Sequence, residues 1–428
     1  MLLLKTNEQS AANGVQTHAK PTHYKARHCL LCHSGKLALA LPLAHSAIGN
    51  DYFPTATPQQ EFANSLHLCR DCGNVQIEDV VNPDILFRSY TYSTTSSLGL
   101  VKHFQTYAGE VAKASGAAPG SLVIDIGSND GSLLKAFKEI GYRVLGVDPA
   151  IEIARRATSE GVETIPDYFT LEVAEKIRQS HGPAAVVTAN NVFAHSDKLP
   201  EMADGIRELL RPDGVFTFEV SYLLDIVQKM LFDTVYHEHL CYHSVRSLNL
   251  FFARHGLQLI DVLRIPTKAG SLRGTVQRAG GPRPVSPDIA RLIEWEEITE
   301  LHAAETWRSY SRRIDDARDR FVRVLDRAKA AGKIIAGYGA SPTVTTLLNH
   351  FGLAGRLDFM VDDNPVKQNT FSPGHHIPVY PSAAIYEKKA DVVAVLAWNY
   401  AAPIMQKHQA FSAAGGRFVI PLQVLQVQ

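Results

Sequence analysis

The sequence predicts an α/β protein of three parts, a small cysteine-bearing N-terminal domain followed by two parallel-sheet domains. Three observations carry that prediction. Two C-x2-C pairs stand at Cys29/Cys32 and Cys69/Cys72. An apolar run of strand length closes on a glycine-bearing turn twice, from Leu122 to Gly131 and from Ile334 to Pro342, each time leading into a helical pattern. Around these turns strand-like and helix-like stretches alternate regularly, the pattern of a doubly wound sheet with right-handed crossovers.

At 428 residues, two or three domains are expected. Hydrophobic residues make up 45% and charged residues 20%, ordinary values for a water-soluble globular chain. Lys+Arg and Asp+Glu both number 43, so no global field favours nucleic acid or an anionic membrane. No apolar run approaches a transmembrane helix. Met1–Leu4 is too short for a signal-peptide core, and Thr6–Lys20 is polar. Residues 1–25 are therefore expected to be a disordered leader, and the compartment to be the cytoplasm.

Cys29, Cys32, Cys69 and Cys72 form two knuckles. Each presents two thiolates from one tight turn, and four such sulfurs satisfy tetrahedral zinc with no open position. A redox motif need not come twice, and disulfides are rare in the cytosol. A structural zinc site is expected within residues 26–85. His28 and His33 flank the first knuckle without being required.

The most informative stretch is S-L-V-I-D-I-G-S-N-D-G-S-L-L, Ser121–Leu134. Leu122–Ile126 reads as a strand, Gly127 and Gly131 bracket a turn, and Asp130 or Ser132 can cap the following helix. A second strand, Tyr142–Val147, ends at Asp148, spaced as an acid that meets a ribose hydroxyl in α/β folds. The turn lacks G-x-G-x-x-G, and Asp130 would meet a phosphate with like charge. A cationic or zwitterionic nucleoside suits it better. The D-x-G-x-x-x-G pattern resembles the first motif of Rossmann-like methyltransferases that bind S-adenosylmethionine (SAM), placing cofactor contacts at Asp125, Gly127, Asn129, Asp130, Asp148 and Asn190.

Further along, the alternation predicts a helix over Glu152–Glu160, a strand near Val162–Ile165, a helix over Leu171–His181, a strand at Ala185–Thr188, a helix over Leu199–Leu210 and a strand at Val215–Val220. Asn190, Asn191 and His195 follow the fourth strand, at the edge where such sheets bind ligands. Upstream, Tyr90 and Tyr92 lie two apart before a hydroxyl-rich run, read either as a linker or as a flap whose phenols bond a sugar or an oxyanion.

The densest polar cluster is T-V-Y-H-E-H-L-C-Y-H, Thr234–His243. One reading is a metal site of His237, His239 and His243. The other is acid–base chemistry, with His239 as base, Glu238 beside it and Tyr236 as a further donor. H-E-x-x-H is absent, which disfavours a metalloprotease. Ser247–Val262 then reads as a helix and a strand, and Lys268–Gln277 as another strand. Gly280–Pro284 has linker composition. Ser286–Gly332 reads as one or two long amphipathic helices joining the halves.

From Lys333 a second such unit begins. Gly337-Tyr338-Gly339, with helix N-terminal amides and hydroxyls at Ser341 and Thr343, suits a phosphate, and Lys367 adds a cation. The missing third glycine, with Pro342 close by, departs from a dinucleotide fingerprint. A strand at Leu357–Val361 ends in D-D-N-P, and one at Val392–Trp398 ends in Asn399.

Several stretches together, the cysteine knuckles, D-I-G-S-N-D-G-S-L-L, A-N-N-V-F-A-H, Y-H-E-H, G-S-L-R, G-Y-G-A-S, D-D-N-P-x-K-Q, P-G-x-x-I-P-V and L-A-W-N-Y, occur in that order. The chain resembles, from about Cys29 to about Val419, the SAM-dependent C-methyltransferases of nucleotide-linked keto-deoxysugars. The resemblance implies a zinc-binding domain (26–85), a central Rossmann-like SAM methyltransferase domain (86–282) and a second Rossmann-like domain (283–428) that holds a TDP-linked sugar. It implies His239 as base, with Glu238, Tyr236, Tyr90 and His195 in the same pocket. Substrate contacts are expected at Tyr92, His237, Lys268, Tyr338, Gly339, Ser341, Asn364, Lys367, Trp398 and Asn399. The implied reaction is C-methylation beside the ketone of a TDP-linked 4-keto-deoxysugar, at carbon 3 in preference to carbon 5, and a monomer is the expected state. An NAD(P)-linked nucleotide-sugar oxidoreductase is the alternative. Lys268-Ala269 and Ser341–Val344 depart from the family's usual His-Gly and Ala-Lys-Gly.

Overall fold

A computed structural model describes residues 21–88, 90, 92–96 and 99–422. The expected leader falls largely outside these residues, although its last residues, His23–Lys25, form a strand, β1. The N-terminal region continues with β2 (Leu37–Leu41), β3 (Leu66–Cys69), β4 (Val75–Ile77) and β5 (Asp79–Val81). The central region contributes β6 (Leu122–Ile126), β7 (Arg143–Val147), β8 (Thr164–Ile165), β9 (Ala184–Asn190), β10 (Leu210–Ser221), β11 (Cys241–Tyr242), β12 (Leu257–Ile265) and β13 (Ser271–Arg278). The C-terminal region adds β14 (Ile335–Tyr338), β15 (Phe359–Asp362), β16 (Thr370–Phe371), β17 (Pro378–Pro381), β18 (Val392–Val395) and β19 (Arg417–Val419).

The central sheet has seven strands in the order β12-β13-β10-β9-β6-β7-β8. From β10 to β8 neighbouring strands run parallel, whereas β13 is antiparallel to both β10 and β12. The middle strands of the parallel run are largely apolar because helices cover both faces; β6 is buried at all five positions. Strand order reverses between β6 and β9, so the crevice beyond their carboxyl ends opens beside the Gly127 turn and Asn190.

The C-terminal sheet has six strands, β16-β17-β15-β14-β18-β19, and β1 pairs with β5. The N-terminal sheet holds an unexpected member: its order is β11-β4-β3-β2, so a strand from the histidine-rich stretch completes the cysteine-bearing sheet. The helix Ala304–Ala330 packs against β2 and β14, and its Tyr310 hydroxyl donates to the carbonyl of Ile226 at 3.0 Å. One buried apolar cluster runs through all three regions, from Leu41 and Leu66 through Phe218 and Leu240 to Leu325 and Leu347.

Helix Leu171–His181 falls where its periodicity predicts. Two strands stop short of expectation. Thr267–Ala269 is a single 3-10 turn and not the start of a strand, because Lys268 and Ala269 have φ of 51° and 68°. Trp398–Tyr400 is likewise a 3-10 turn after β18. The helix after the glycine turn is capped by Gly131, whose φ of 73° suits glycine, while Asp130 takes the Ser132 N–H at 3.1 Å.

Candidate active site

The cysteine knuckles fold alike. His33 N–H donates to Cys29 O and Gly73 N–H to Cys69 O, both at 2.9 Å, and both donors are left-handed. The two turns bring the four Sγ atoms within 4.8 Å of one another, with Cys29–Cys72 at 3.5 Å and Cys32–Cys69 at 3.6 Å. Tetrahedral zinc with bonds of about 2.3 Å spaces its sulfurs about 3.8 Å apart, so the donor set fits structural zinc and leaves no position for a reactant. Asn74 Nδ2 reaches Cys29 Sγ at 3.8 Å and Cys241 Sγ at 3.7 Å, joining this centre to β11.

Just before the glycine turn, Asp125 is the second-last residue of β6, buried, and accepts the Thr188 hydroxyl at 2.6 Å. Burial pushes its carboxyl up to about 7; the Thr188 bond opposes the rise and Asp148 adds to it. Gly127 has φ +70°, and a Cβ there would lie 2.3 Å from Val192 Cγ2. Asn129 N–H donates to Asp148 Oδ2 at 2.8 Å, and the other Asp148 oxygen takes the Ala150 N–H at 2.8 Å. Asn129 Nδ2 donates to Tyr92 O at 2.9 Å while its Oδ1 accepts the Thr94 N–H at 2.9 Å. Asp130 accepts the Ser93 hydroxyl at 2.5 Å and the Thr95 N–H at 3.1 Å. Burial alone would raise Asp130, but hydrogen bonds from Ser132, Ser93 and Thr95 hold it below the usual carboxylate range. Asn129 and Asp130 thus bind residues 92–95 as a strap. Asn190, at the end of β9, keeps both amide atoms buried with no well-aligned hydrogen bond, the Tyr107 hydroxyl being its nearby polar neighbour, a cost that a polar ligand would relieve.

The strap leads directly to the histidine-rich stretch. Tyr90 donates to Glu238 Oε2 at 2.9 Å, and the rings of Tyr90 and Tyr92 lie 6.1 Å apart. Leu240 and Cys241 N–H groups donate to Ala194 O at 2.8 and 3.1 Å, and Leu240 O accepts the Ile77 N–H at 3.0 Å. This backbone clamp brings His239 onto His195, their rings stacked at 5.0 Å and 23°. The Tyr236 ring lies 4.1 Å from His239. His239 Nδ1 sits 2.8 Å from the carbonyl of Thr234, which can only accept, so Nδ1 carries the proton and Nε2 the lone pair. Burial, with the charge of Lys268, lowers His239 to about 4. Burial lowers His195 well below the histidine range, with His239 and Lys268 adding. Glu238 is raised by burial, against the Tyr90 bond and the charges of Lys268 and Lys367.

The other two histidines diverge. His237 is 1% exposed and meets Phe62 edge-on at 5.4 Å, and His243 Nε2 donates to Phe193 O at 2.9 Å. The three-histidine metal reading is therefore set aside: among the described residues the four cysteines form the one metal-capable cluster.

The C-terminal G-x-G turn is not an open phosphate cradle. The Ala340 N–H donates to Asp362 Oδ2 at 2.6 Å, which puts a carboxylate where a phosphate would sit. Gly339 lies against Ala397, and a Cβ on Gly49 would fall 2.9 Å from Pro342, so the N-terminal region covers the turn. Ser341 and Thr343 bond each other at 2.8 Å, and the buried Tyr338 donates to Asp363 at 2.8 Å. Trp398 Nε1 donates to Asp233 at 2.8 Å, while Asn364 and Asn399 are exposed. Lys367 turns back to Asn50 Oδ1 at 2.7 Å and over the Tyr52 ring at 4.4 Å. Burial lowers Lys367 to about 8, against Asp362, Glu238 and Asp51. Of this set, Lys367 comes within electrostatic reach of Glu238.

Sequence reasoning missed Glu219. It lies within the apolar run of β10, between Phe218 and Val220, 2% exposed, and bonds His103 at 2.8 Å and Arg273 at 2.8 Å. An acid inside an apolar strand run was the available signal.

Three family models match the chain. They are described as "Putative zinc binding domain" over residues 29–87, "Methyltransferase domain" over 101–262 and "C-methyltransferase C-terminal domain" over 266–423. The fold and its centres thus define a methyltransferase with a zinc module. C-methyltransferase NovU of Streptomyces niveus is 34% identical over 382 residues, covering 89% of this chain and 90% of NovU. The chain belongs to this C-methyltransferase family. Among solved structures, magnesium protoporphyrin IX methyltransferase of Synechocystis PCC 6803 with bound SAH is 18% identical at a TM-score of 0.33, covering 42% of this chain and 84% of that one. The PH0226 protein of Pyrococcus horikoshii OT3 is 14% identical at a TM-score of 0.36, covering 46% and 98%. Both TM-scores are too low to carry weight. Membership of the family sets the oxidoreductase alternative aside. No helix among the described residues is long and apolar enough to cross a membrane.

Proposed function

We propose that this enzyme transfers a methyl group from SAM to the carbon beside the ketone of a TDP-linked 4-keto-deoxysugar, with carbon 3 favoured. The observation that carries the reading is the clamp around His239, which keeps Nδ1 on Thr234 and leaves Nε2 free beside Tyr236 and His195. A proton next to a ketone is the kind such a base removes, and general base catalysis of this type contributes about 10²–10⁴-fold. Tyr90 holds Glu238 in place next to His239 in the sequence. SAM, once bound, supplies an electrophilic methyl on a sulfonium. The acidic turn suits that cation: Asp125 and Asp148 flank its edge, and the buried Asn190 amide, with no well-aligned hydrogen bond, offers a donor and an acceptor. Residues 92–95 touch the turn and Tyr90 touches Glu238, so the two reactants would meet in one cleft. Holding them in line supplies much of the rate. Residues 26–85, 86–282 and 283–428 then serve as zinc module, donor domain and sugar-nucleotide domain, in the cytoplasm.

The test is turnover with methyl-labelled SAM and TDP-linked 4-keto-deoxysugars, with the product read by NMR. Label on carbon 3 is expected. Label on carbon 5 would correct the position, and label on oxygen or nitrogen would overturn the reading.

A further inference from the structure

Lys268 occupies the turn between β12 and β13. Lys268 and Ala269 are both left-handed, with φ of 51° and 68°, although neither is glycine. Such a conformation persists only where the surroundings over-determine it. Here they do. Lys229 Nζ donates to Ala269 O at 2.9 Å, and Tyr222 N–H donates to Gly270 O at 3.4 Å. Gly270 is wedged so closely on Asp225 that an added Cβ would lie 2.6 Å from the Asp225 Cβ, and Asp225 is gripped by Arg264 at 2.5 Å.

The side chain that this turn presents has no hydrogen bond or ion pair to any described residue. The other charges of the cleft are answered: Glu238 by Tyr90, Glu219 by His103 and Arg273, and Lys367 by Asn50. The Lys268 side chain keeps a face open to solvent while the surrounding protein lowers its ammonium from the usual lysine value, against the charges of Glu238 and Glu219; its own charge is felt in turn at His239 and His195. The strained turn thus presents a cation without a hydrogen-bonded partner among the described residues, in the field of the histidine pair and of Glu238 and Glu219. Removing a proton from the sugar turns His239 into a second cation beside it. The two repel unless a negative charge forms between them, and the ketone oxygen is where that charge forms.

We propose that Lys268 is the catalytic cation that receives the enolate oxygen. The inference rests on the sugar reading above. The C–H bond beside the ketone breaks, its proton goes to His239 Nε2, its electron pair becomes the C=C bond, and the carbonyl π pair moves to the oxygen that Lys268 faces. The pair then returns to rebuild C=O, the carbon takes the methyl, and the donor's sulfur keeps the S–C pair and leaves as a neutral thioether.

The test uses the full-length zinc-loaded enzyme with a TDP-linked 4-keto-deoxysugar. Deuterium wash-in from D2O is followed with S-adenosylhomocysteine bound, and turnover with SAM. Lys268→Met should lower wash-in and kcat together by about 10²–10³-fold, the range for loss of one oxyanion donor. KM for the sugar nucleotide should change less than about threefold, as expected when the lost contact is made only in the transition state. Lys268→Arg should recover part of both rates. Lys268→Gly, which suits a left-handed turn, should match Lys268→Met and so separate lost charge from misfolding. Normal wash-in in Lys268→Met, or a raised KM with unchanged kcat, overturns the proposal in favour of phosphate binding or no role. A wild-type enzyme that neither exchanges nor methylates any such sugar overturns the sugar reading and this proposal with it.

Discussion

The Tyr90 hydroxyl donates to Glu238 at 2.9 Å, linking two residues 148 positions apart. Two residues beyond Tyr90, the Tyr92 carbonyl accepts from Asn129 of the glycine turn. Tyr90 and Tyr92 thus reach, respectively, the histidine cluster and the glycine turn.

Tyr90→Phe should therefore act on both stability and rate. Glu238 would remain buried without its donor, at a cost of about 1–3 kcal/mol. Urea unfolding of Tyr90→Phe, Glu238→Gln and the double variant measures the coupling, and strict additivity would show that the bond contributes nothing.

His239→Asn should reduce turnover by about 10²–10⁴-fold while SAM binding, read by calorimetry, stays unchanged. Near-normal turnover in that variant would sink the assignment of the base.

Acid should destabilise the protein through its buried imidazoles. Burial lowers His237, His239 and His243 each to about 4, from an ordinary value of 6.5. Between those limits the folded state binds fewer protons than the unfolded one, so stability is complete above 6.5 and declines as pH falls toward 4. Asp125 and Asp233, each raised by burial to about 7, act in the opposite sense, losing stability as pH rises toward 7. A difference measurement separates them. His243→Gln should gain stability relative to wild type as pH falls through 6.5 to 4, and a constant difference would mean that His243 does not carry the effect.

Gly127→Ala should cost about 1–3 kcal/mol from overpacking on Val192, besides backbone strain, and should weaken SAM binding. Gly116→Ala, at φ +61° with nothing within 4 Å, carries the strain alone and is the control. Equal Tm losses in the two variants would show that the close approach is unimportant.

Stripping the metal should abolish turnover while sparing the glycine turn. Structural zinc contributes on the order of 10–16 kcal/mol in small domains, so removal will need strong chelation or Cys32→Ser. Zinc content and turnover should fall together, with SAM binding less affected. Full activity in zinc-free protein would show that the module does not support the clamp around His239.

Local signals made much of the fold legible. The apolar runs and glycine turns of the central sheet, and helix Leu171–His181, follow directly from periodicity and capping residues. The cysteine cluster was legible because its spacing is tied to one coordination geometry. Pairing between distant segments was not. Nothing around Cys241 signals that it will lie opposite Gln76. The Gly337-Tyr338-Gly339 turn looks receptive until Asp362 is seen on the Ala340 amide, a contact between residues 22 apart. Lys268 looked like part of a strand because its left-handed geometry is imposed by Gly270 and Asp225 and not by its own sequence. His237 and His239 alternate in sequence, but only His239 joins His195 and Tyr236.

The place of β11 has an evolutionary corollary. Since Cys241 and Tyr242 hydrogen-bond to the cysteine-bearing sheet, the amino-terminal portion is no interchangeable cassette. A chimera that swaps it between relatives and leaves Leu240–Tyr242 behind would unzip an edge beside the His239–His195 stack. Successful grafts should carry both pieces together.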